Sequence, residues 1–512
     1  MEERQHNSIG RAAIVVIVLI IQLAWILHHV YRIDNYYPMT ITIGKIISVL
    51  IVLRIYGSHT NAAVKIPWMV LLLVMPITGL ILYLLFKSKW STYFTKKKFR
   101  NIVGKMITYL KNSDDLLGRL KEQDPTIYGQ SRYISHIGAY PVYDGCKVDY
   151  YAEASDGIEA QKEDMRKAEK FIFMEYHAIE DSKSFQEIED ILAEKVKEGV
   201  DVRVIYDDFG SMGFVNKAFR DKLNAKGIKC VIFNPMVPII NVFMNNRDHR
   251  KITVIDGKIG YTGGYNIADR YFNINSPYGH WKDTGIRIQG QAVDTLTVLF
   301  LEMWYAVCRQ DMKREYVDKF TGYAQKYEDE GIVQPYAESP LKEEMLAETV
   351  YLNLAKNAKD YLYIMTPYLL IDDNINDELV QAAKRGVDVR IITPGIPDKK
   401  FVYSMTRSYY GALVRGGVRI YEYTPGFVHA KQHLSDDTTA VIGTINMDYR
   451  SLYLHFENGV LLHKVDAIKD IKKDFEETLE KSREVTNRYN VHNRSLGMRV
   501  RQCLLRFFAP LM

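Results

Sequence analysis

The stretch Asn246-Arg-Asp-His-Arg-Lys-Ile-Thr-Val-Ile-Asp-Gly-Lys-Ile-Gly-Tyr-Thr-Gly-Gly-Tyr-Asn266 decides how the chain is read, because its pattern returns towards the C-terminal end. His249, Lys251, Asp256, Gly263 and Asn266 recur in order as His429, Lys431, Asp436, Gly443 and Asn446. Every pair is separated by the same 180 positions, as from 249 to 429. Five matches in one register point to an internal duplication.

The repeat extends upstream. Lys197-Glu-Gly-Val-Asp-Val-Arg-Val-Ile205 returns as Lys384-Arg-Gly-Val-Asp-Val-Arg-Ile-Ile392. Each copy reads as a helix end, a Gly cap and a buried strand. Leu223-Asn-Ala-Lys-Gly-Ile-Lys before Pro235 returns as Leu413-Val-Arg-Gly-Gly-Val-Arg before Pro425. Lys170-Phe-Ile-Phe-Met-Glu175 and Asp360-Tyr-Leu-Tyr-Ile-Met365 are matched candidate strands. From about residue 113 onward short β-branched runs alternate with charged, helix-like stretches, so the expectation is α/β, in two similar halves with function at their interface.

The repeated residues suit phosphodiester chemistry. In a strand, residues i and i+2 share a side, so His249 goes with Lys251 and His429 with Lys431. An imidazole attacks phosphorus or moves a proton near neutral pH, and an ammonium beside it holds a phosphate oxygen. Two such pairs give one nucleophile, one acid and two cationic clamps, with no metal required. Asn266 and Asn446 follow a Gly turn and are placed to donate amide hydrogen bonds to the phosphate. A nucleophilic His needs a carboxylate on its other ring nitrogen; Asp283 and Glu457, downstream of the motifs, are the candidates. Asp256 and Asp436 fall at strand-to-turn positions and read as holding the turn.

Other patterns are set aside. His177, His280, His433 and His455 read as ordinary structural histidines. Zinc sites need three or four convergent ligands, and neither a His-x3-His pair nor a Cys-rich cluster occurs. Gly263-Gly264 and Gly416-Gly417 fit neither the Walker nor the dinucleotide spacing, so no cofactor of those kinds is expected. Four cysteines, Cys146, Cys230, Cys308 and Cys503, lie far apart and read as reduced thiols.

The N-terminal end is of another kind. Residues 12–30 are almost unbroken apolar, with Gln22 the polar interruption, and residues 67–86 are uncharged. Each is close to the roughly 20 residues of a membrane-crossing helix. Residues 39–56 carry Lys45 and Arg54 and are open between a third span, an interfacial helix and neither. After Phe86 come Lys87, Lys89, Lys96, Lys97, Lys98, Arg100 and Lys105 without an acidic residue, which places the large C-terminal part in the cytoplasm. The expected division is a membrane anchor with two or three spans over 1–88, a basic juxtamembrane linker over 89–125, and lobes over 126–330 and 331–512. Across 512 residues the composition is ordinary, 47% hydrophobic and 25% charged, and the net charge of +5 is small for a nucleic-acid binder. Two further runs are apolar: residues 236–244, read either as an acyl-chain entrance or as core, and residues 504–511, read either as core or as membrane contact.

With His-x-Lys-x4-Asp followed by Gly-x2-Asn present twice, the chain resembles the phospholipase D superfamily. The stretch from Asn246 to Asn266, together with Val428-His-Ala-Lys431 and Asn446-Met-Asp-Tyr-Arg-Ser451, is similar to bacterial cardiolipin synthases, as is the apolar N-terminal layout. The second motif departs from the family in Gln432-His433-Leu434-Ser435, where apolar residues are usual, and in Asp437, which doubles the Asp; spacing selects Asp436. The resemblance implies two pseudo-symmetric phospholipase D-like lobes behind transmembrane helices, and catalysis by His249, Lys251, Asp256, His429, Lys431 and Asp436 without a cofactor. It implies ping-pong transfer between two phosphatidylglycerol molecules through a phosphatidyl-histidine, giving cardiolipin and glycerol. His249 is taken as nucleophile and His429 as acid/base, the reverse remaining open. The partners implied are phosphatidylglycerol and anionic membrane lipids, with no nucleic acid. A hydrolase of the same type, or a transferase using another alcohol, is the alternative; oligomeric state is not readable.

Overall fold

The computed structural model describes residues 38–58, 61–87, 89–110, 113–236, 245–308, 317–329, 331–342, 344–490 and 495–509, with scattered positions between 13 and 28. The first apolar run falls partly outside the described residues, and the apolar run over 236–244 lies outside them from 237 onward.

Helices α1 (Pro38–Tyr56), α2 (Ala62–Val74) and α3 (Pro76–Lys87) form an apolar cap. The Asn61 side chain starts α2 by accepting from the Ala63 N–H. α2 stops at Met75 because Pro76 has no N–H to continue the ladder. The two arms then fold back: the Trp68 and Tyr83 rings meet at 5.6 Å, whereas residues fifteen apart on a straight helix are separated by roughly 22 Å. Gly79 permits the close crossing, since a Cβ there would lie 2.8 Å from the Leu71 carbonyl oxygen. Residues 67–86 are thus not the single span their length suggested. They form a hairpin whose arms of 13 and 12 residues each rise about 20 Å, short of a roughly 30 Å hydrocarbon core. Among the described residues no helix is long and apolar enough to cross a membrane. α1 closes over the hairpin, with Ser48 Oγ donating to the Pro76 carbonyl at 3.0 Å and Val52, Ile55 and Leu72 sharing a small core. The outer surface exposes Ile46, Leu50, Leu53, Leu73 and Val74. Asn61 Nδ2 ties the cap to the second half through Asp372 Oδ2 at 2.5 Å and Tyr453 Oη at 3.1 Å.

The basic segment after the cap forms α4 (Lys89–Met106) and joins the main core through Phe99, Ile102, Val103 and Met106. The strands of the first half are β1 (Tyr143–Asp144), β2 (Lys147–Tyr151), β3 (Phe171–Tyr176), β4 (Asp201–Asp207), β5 (Lys229–Phe233), β6 (Arg247–Asp248), β7 (Lys251–Ile255), β8 (Ile259–Gly263), β9 (His280–Lys282) and β10 (Gly285–Gln289). Those of the second are β11 (Ile332–Glu338), β12 (Tyr361–Met365), β13 (Asp388–Pro394), β14 (Arg419–Tyr423), β15 (Gly426–Val428), β16 (Gln432–Ser435), β17 (Thr439–Gly443), β18 (His455–His463) and β19 (Ser482–Glu484).

The duplication is explicit in the sheets. The first runs β2-β10-β8-β7-β3-β4-β5, and the second contains β11-β18-β17-β16-β12-β13-β14, the same order element by element. In both, three consecutive strands are parallel and the motif strand, β7 or β16, lies antiparallel beside the first of them. All four residues of β16, Gln432 to Ser435, are buried despite their polarity. Asp436, not Asp437, makes the amide contacts of the motif position; Asp437 sits outside, paired with Lys472.

The halves interlock. β1 pairs with β11, β6 with β18 and β15 with β9, so short strands of each half extend the hydrogen bonding of the other. Helix α5 (Ala292–Cys308) is buried along nearly its whole length and packs against the first sheet and against β11. A helix apolar on every side belongs in such a position.

Candidate active site

The cross-pairing strands place the histidines. β6 lies beside β18, so the His249 N–H donates to the Phe456 carbonyl at 2.8 Å. β15 lies beside β9, so the His429 N–H donates to the Lys282 carbonyl at 2.7 Å. The residue after each acceptor is a buried carboxylate. Glu457 Oε2 is 2.8 Å from His249 Nδ1, and Asp283 Oδ2 is 2.6 Å from His429 Nδ1. Each imidazole is therefore carried by one half and oriented by a carboxylate of the other. Thr444 Oγ1 donates to Glu457 at 2.5 Å, and the Thr284 N–H donates to Asp283 at 3.0 Å. Gly264 is required here, since a Cβ would stand 2.0 Å from Asp283 Oδ1.

Both histidines line one cavity of about 1200 Å³, together with Asn266 and Asn446. Asn266 spends its amide on the fold: Oδ1 accepts from the Ala178 N–H at 3.0 Å and Nδ2 donates to Tyr271 Oη at 2.9 Å. Asn446 lines the cavity, and its Oδ1 is buried without a hydrogen-bond partner. Lys251 and Lys431 are buried beneath the histidines rather than in the cavity wall. Lys251 Nζ donates to the His249 carbonyl at 2.6 Å, and Lys431 Nζ lies 2.7 Å from His429 Nδ1. Asp256 and Asp436 are not brought into the site. They sit at the far end of the motif strands, with positive φ of 53° and 52°. Asp256 accepts from the N–H groups of Glu169, Lys170 and Phe171 at 2.7–2.9 Å. Asp436 accepts from Lys359, Asp360 and Tyr361, each at 2.9 Å.

The electrostatics favour neutral imidazoles. Burial, then the charges of Lys251 and Lys431, holds His249 well below the ordinary range. Burial and Lys431 push His429 down to about 3 against the pull of Asp283. Burial lowers Lys251 to about 8 and Lys431 to about 7, although the site carboxylates oppose it. Burial raises Asp283, but His429, Lys431 and its hydrogen bonds outweigh that and leave it below the usual carboxylate value. With Nδ1–H donating to the carboxylate, each ring presents a lone pair on Nε2, as nucleophilic or general-base catalysis requires.

Two of the histidines set aside as structural stand at the site. The rings of His177 and His455 lie 4.8 and 5.5 Å from His249. His429 is instead surrounded by aromatic rings, Trp281 at 5.2 Å, Tyr271 at 5.3 Å and Phe427 at 5.9 Å. Trp281 and His455 hold matching places, each two residues before an orienting carboxylate, so the environment differs where the frame does not. Arg247 and Arg450 also line the cavity and add positive charge for an anionic group. His433 and His280 are elsewhere: His433 lies 4.1 Å from the Tyr351 ring, and His280 is 3.3 Å from Glu153. Among the described residues, donor atoms of His249, His455 and Glu457 lie within 4.8 Å of one another, a spacing that suits a metal ion. The ammonium groups of Lys251 and Lys431 oppose a cation there.

Paired His/Lys sets on duplicated α/β lobes, with each His oriented from the opposite lobe, define a site of the phospholipase D class. The family described as "Cardiolipin synthase, PLD-like domain" matches residues 162–304 and 351–479, and "Phospholipase_D-nuclease N-terminal" matches residues 46–87. An uncharacterized protein of Streptococcus mutans is 39% identical over 461 residues, covering 90% of this chain and 99% of its own length. Cardiolipin synthase 2 of Bacillus anthracis is 32% identical over 461 residues, covering 90% of this chain and 88% of its own. The crystal structure of phosphatidylserine synthase from Haemophilus influenzae matches with a TM-score of 0.55 at 16% identity, over 75% of this chain and 97% of that one, which is a likeness of fold alone. The chain belongs to the phospholipase D-like cardiolipin synthase family.

Proposed function

We propose that the protein is a cardiolipin synthase that transfers a phosphatidyl group from one phosphatidylglycerol to the free glycerol hydroxyl of another. The observation that carries this reading is the pair of cross-oriented histidines, His249 with Glu457 and His429 with Asp283, opening onto one cavity. In the first step Nε2 of one His attacks phosphorus and the bond from phosphorus to the glycerol oxygen breaks; the other His, which takes up a proton on Nε2 when the phosphate anion binds beside it, gives that proton to the departing oxygen and is left neutral. Phosphatidyl-histidine and free glycerol result. In the second step the other His takes the proton of the incoming hydroxyl, that oxygen attacks phosphorus, and the bond to His breaks. His249 is assigned as nucleophile and His429 as acid/base. The cations around the cavity, among them Arg247 and Arg450, stabilise the phosphate charge throughout.

The exposed apolar surface of α1 to α3 supports attachment to the membrane, and the basic residues after Phe86 support a cytoplasmic position for the lobes. The test is product analysis of labelled phosphatidylglycerol in vesicles with the purified protein. Cardiolipin plus glycerol is expected, and none with His249→Ala or His429→Ala. Phosphatidic acid alone would make water the acceptor. Trapping labelled phosphatidyl on His429 but not on His249 after a denaturing quench at alkaline pH would reverse the assignment of roles.

A further inference from the structure

The last described helix, α7 (Leu496–Phe508), is amphipathic in an unusual direction. Its N-terminus is capped by the Ser495 side chain, which accepts from the Met498 N–H. One face packs on α6 (Lys400–Arg415): Arg506 Nη2 donates to the Ser408 carbonyl at 2.9 Å and Gln502 Nε2 to the Arg407 carbonyl at 3.4 Å. The outer face is the apolar one. Leu496, Val500 and Leu504 recur one turn apart and are 76%, 52% and 61% exposed. Phe401, 52% exposed at the start of α6, continues this stripe across an open groove of about 610 Å³.

Three features say what covers the stripe. Arg499 and Arg501 flank Val500 at about 100° to either side, and α7 contains no acidic residue. An apolar stripe edged by arginines matches the boundary between acyl chains and anionic headgroups, where the side chains bury their stems and keep their charge in the headgroup layer. α7 also touches α2, so the stripe continues the exposed apolar surface of the cap. Finally, Asp398, Lys399 and Val402, at the start of α6, line the active-site cavity, so the stripe lies beside its mouth.

We propose that α7 is an in-plane membrane helix that seats Leu496, Val500, Leu504 and Phe401 in an anionic lipid surface and so holds the cavity mouth against the bilayer. This rests on the reading of the substrate as a membrane phospholipid. The full chain, carrying Cys308→Ser, Cys503→Ser and Leu504→Cys labelled with an environment-sensitive fluorophore, is reconstituted in vesicles of phosphatidylglycerol and phosphatidylcholine. A blue shift and quenching by acyl-chain spin-labelled lipid are expected, both weakened in pure phosphatidylcholine. A label at Lys469→Cys should show neither. A Leu504 label that stays in water overturns the proposal, as does one that is shielded yet unquenched and cross-links between copies, which would make the occupant a second chain. In the enzyme assay, Leu496→Ser/Val500→Ser/Leu504→Ser should lose about ten-fold more turnover on vesicle lipid than on dispersed short-chain phosphatidylglycerol. Equal loss on both also overturns it. Absence of any phospholipid turnover by the unmutated chain would remove the proposed function, while the quenching result would still decide the helix.

Discussion

At the scale of the residue, the imidazoles work because buried carboxylates fix their tautomers. Asp283→Asn and Glu457→Gln keep volume but remove the charge and can turn an NH2 donor towards Nδ1, which favours the wrong tautomer, and each acts on the His of the other lobe. Turnover should fall on the order of 10³-fold or more in either variant, by comparison with a carboxylate-to-amide change in a catalytic triad. Steady-state kinetics with melting curves unchanged would verify it; a variant within a few-fold of the parent would refute the orienting role. His433 is the contrasting case. It is buried, neither ring nitrogen has a hydrogen-bond partner, and burial alone pushes it down to about 3. The folded chain keeps it neutral while the unfolded chain protonates it below about 6.5. Its contribution is thus complete above that pH and is lost as pH falls towards 3. Denaturant titrations from pH 7 to 4 should lose stability, and His433→Leu should flatten the slope; an unchanged slope would mean the ring gains a proton partner in solution. The reactive residues were legible because a fixed offset of 180 positions singles them out. His177 and His455 were not: His177 reaches His249 only through the pairing of β3 with β7, and His455 only after the lobes close on each other.

At the scale of the element, the motif Asp is a clasp. Asp256 and Asp436 each gather three N–H groups at the start of the neighbouring strand, at the end of β7 or β16 remote from the histidines. Asp256→Ala should cost about 3 kcal/mol of stability through its orphaned amides. Urea unfolding would measure this, and the kcat of the folded fraction should stay near that of the parent; a normal stability with a collapsed kcat would return Asp256 to the chemistry. The strands themselves were readable, since buried β-branched runs with Gly caps carry their own periodicity. The hairpin of α2 and α3 was not legible. Hydropathy records only that residues 67–86 are uncharged, whereas the interruption at Met75 and Pro76 and the contact at Gly79 determine that the segment turns back.

At the scale of the whole molecule, the seam between the lobes carries buried charge. Lys282 Nζ meets Asp474 Oδ1 at 2.6 Å, both nearly buried, and Tyr150 and Gln432 complete the network. Lys282→Met leaves a buried carboxylate uncompensated and should destabilise by about 3–5 kcal/mol. Lys282→Met/Asp474→Leu should recover a large part of that loss in the same thermal melt; no recovery would mean the pair contributes little and the loss is one of packing. The polar β16 that departs from its family makes sense on this scale, because Gln432 bonds across the seam to Tyr150 and Thr284. Composition carries no trace of such contacts, whose partners lie far apart in the chain. The reciprocal orientation of the histidines also has a historical side. In a twofold homodimer, residue i of one subunit meets j of the other and j meets i. His249 with Glu457 and His429 with Asp283 keep that relation inside one polypeptide. A lone ancestral half would have been inert until two identical copies met, and tandem fusion would have made their meeting permanent. Fusion then released the two halves from having to match, and the imidazoles beside one His and the indole beside the other are differences that such freedom allows.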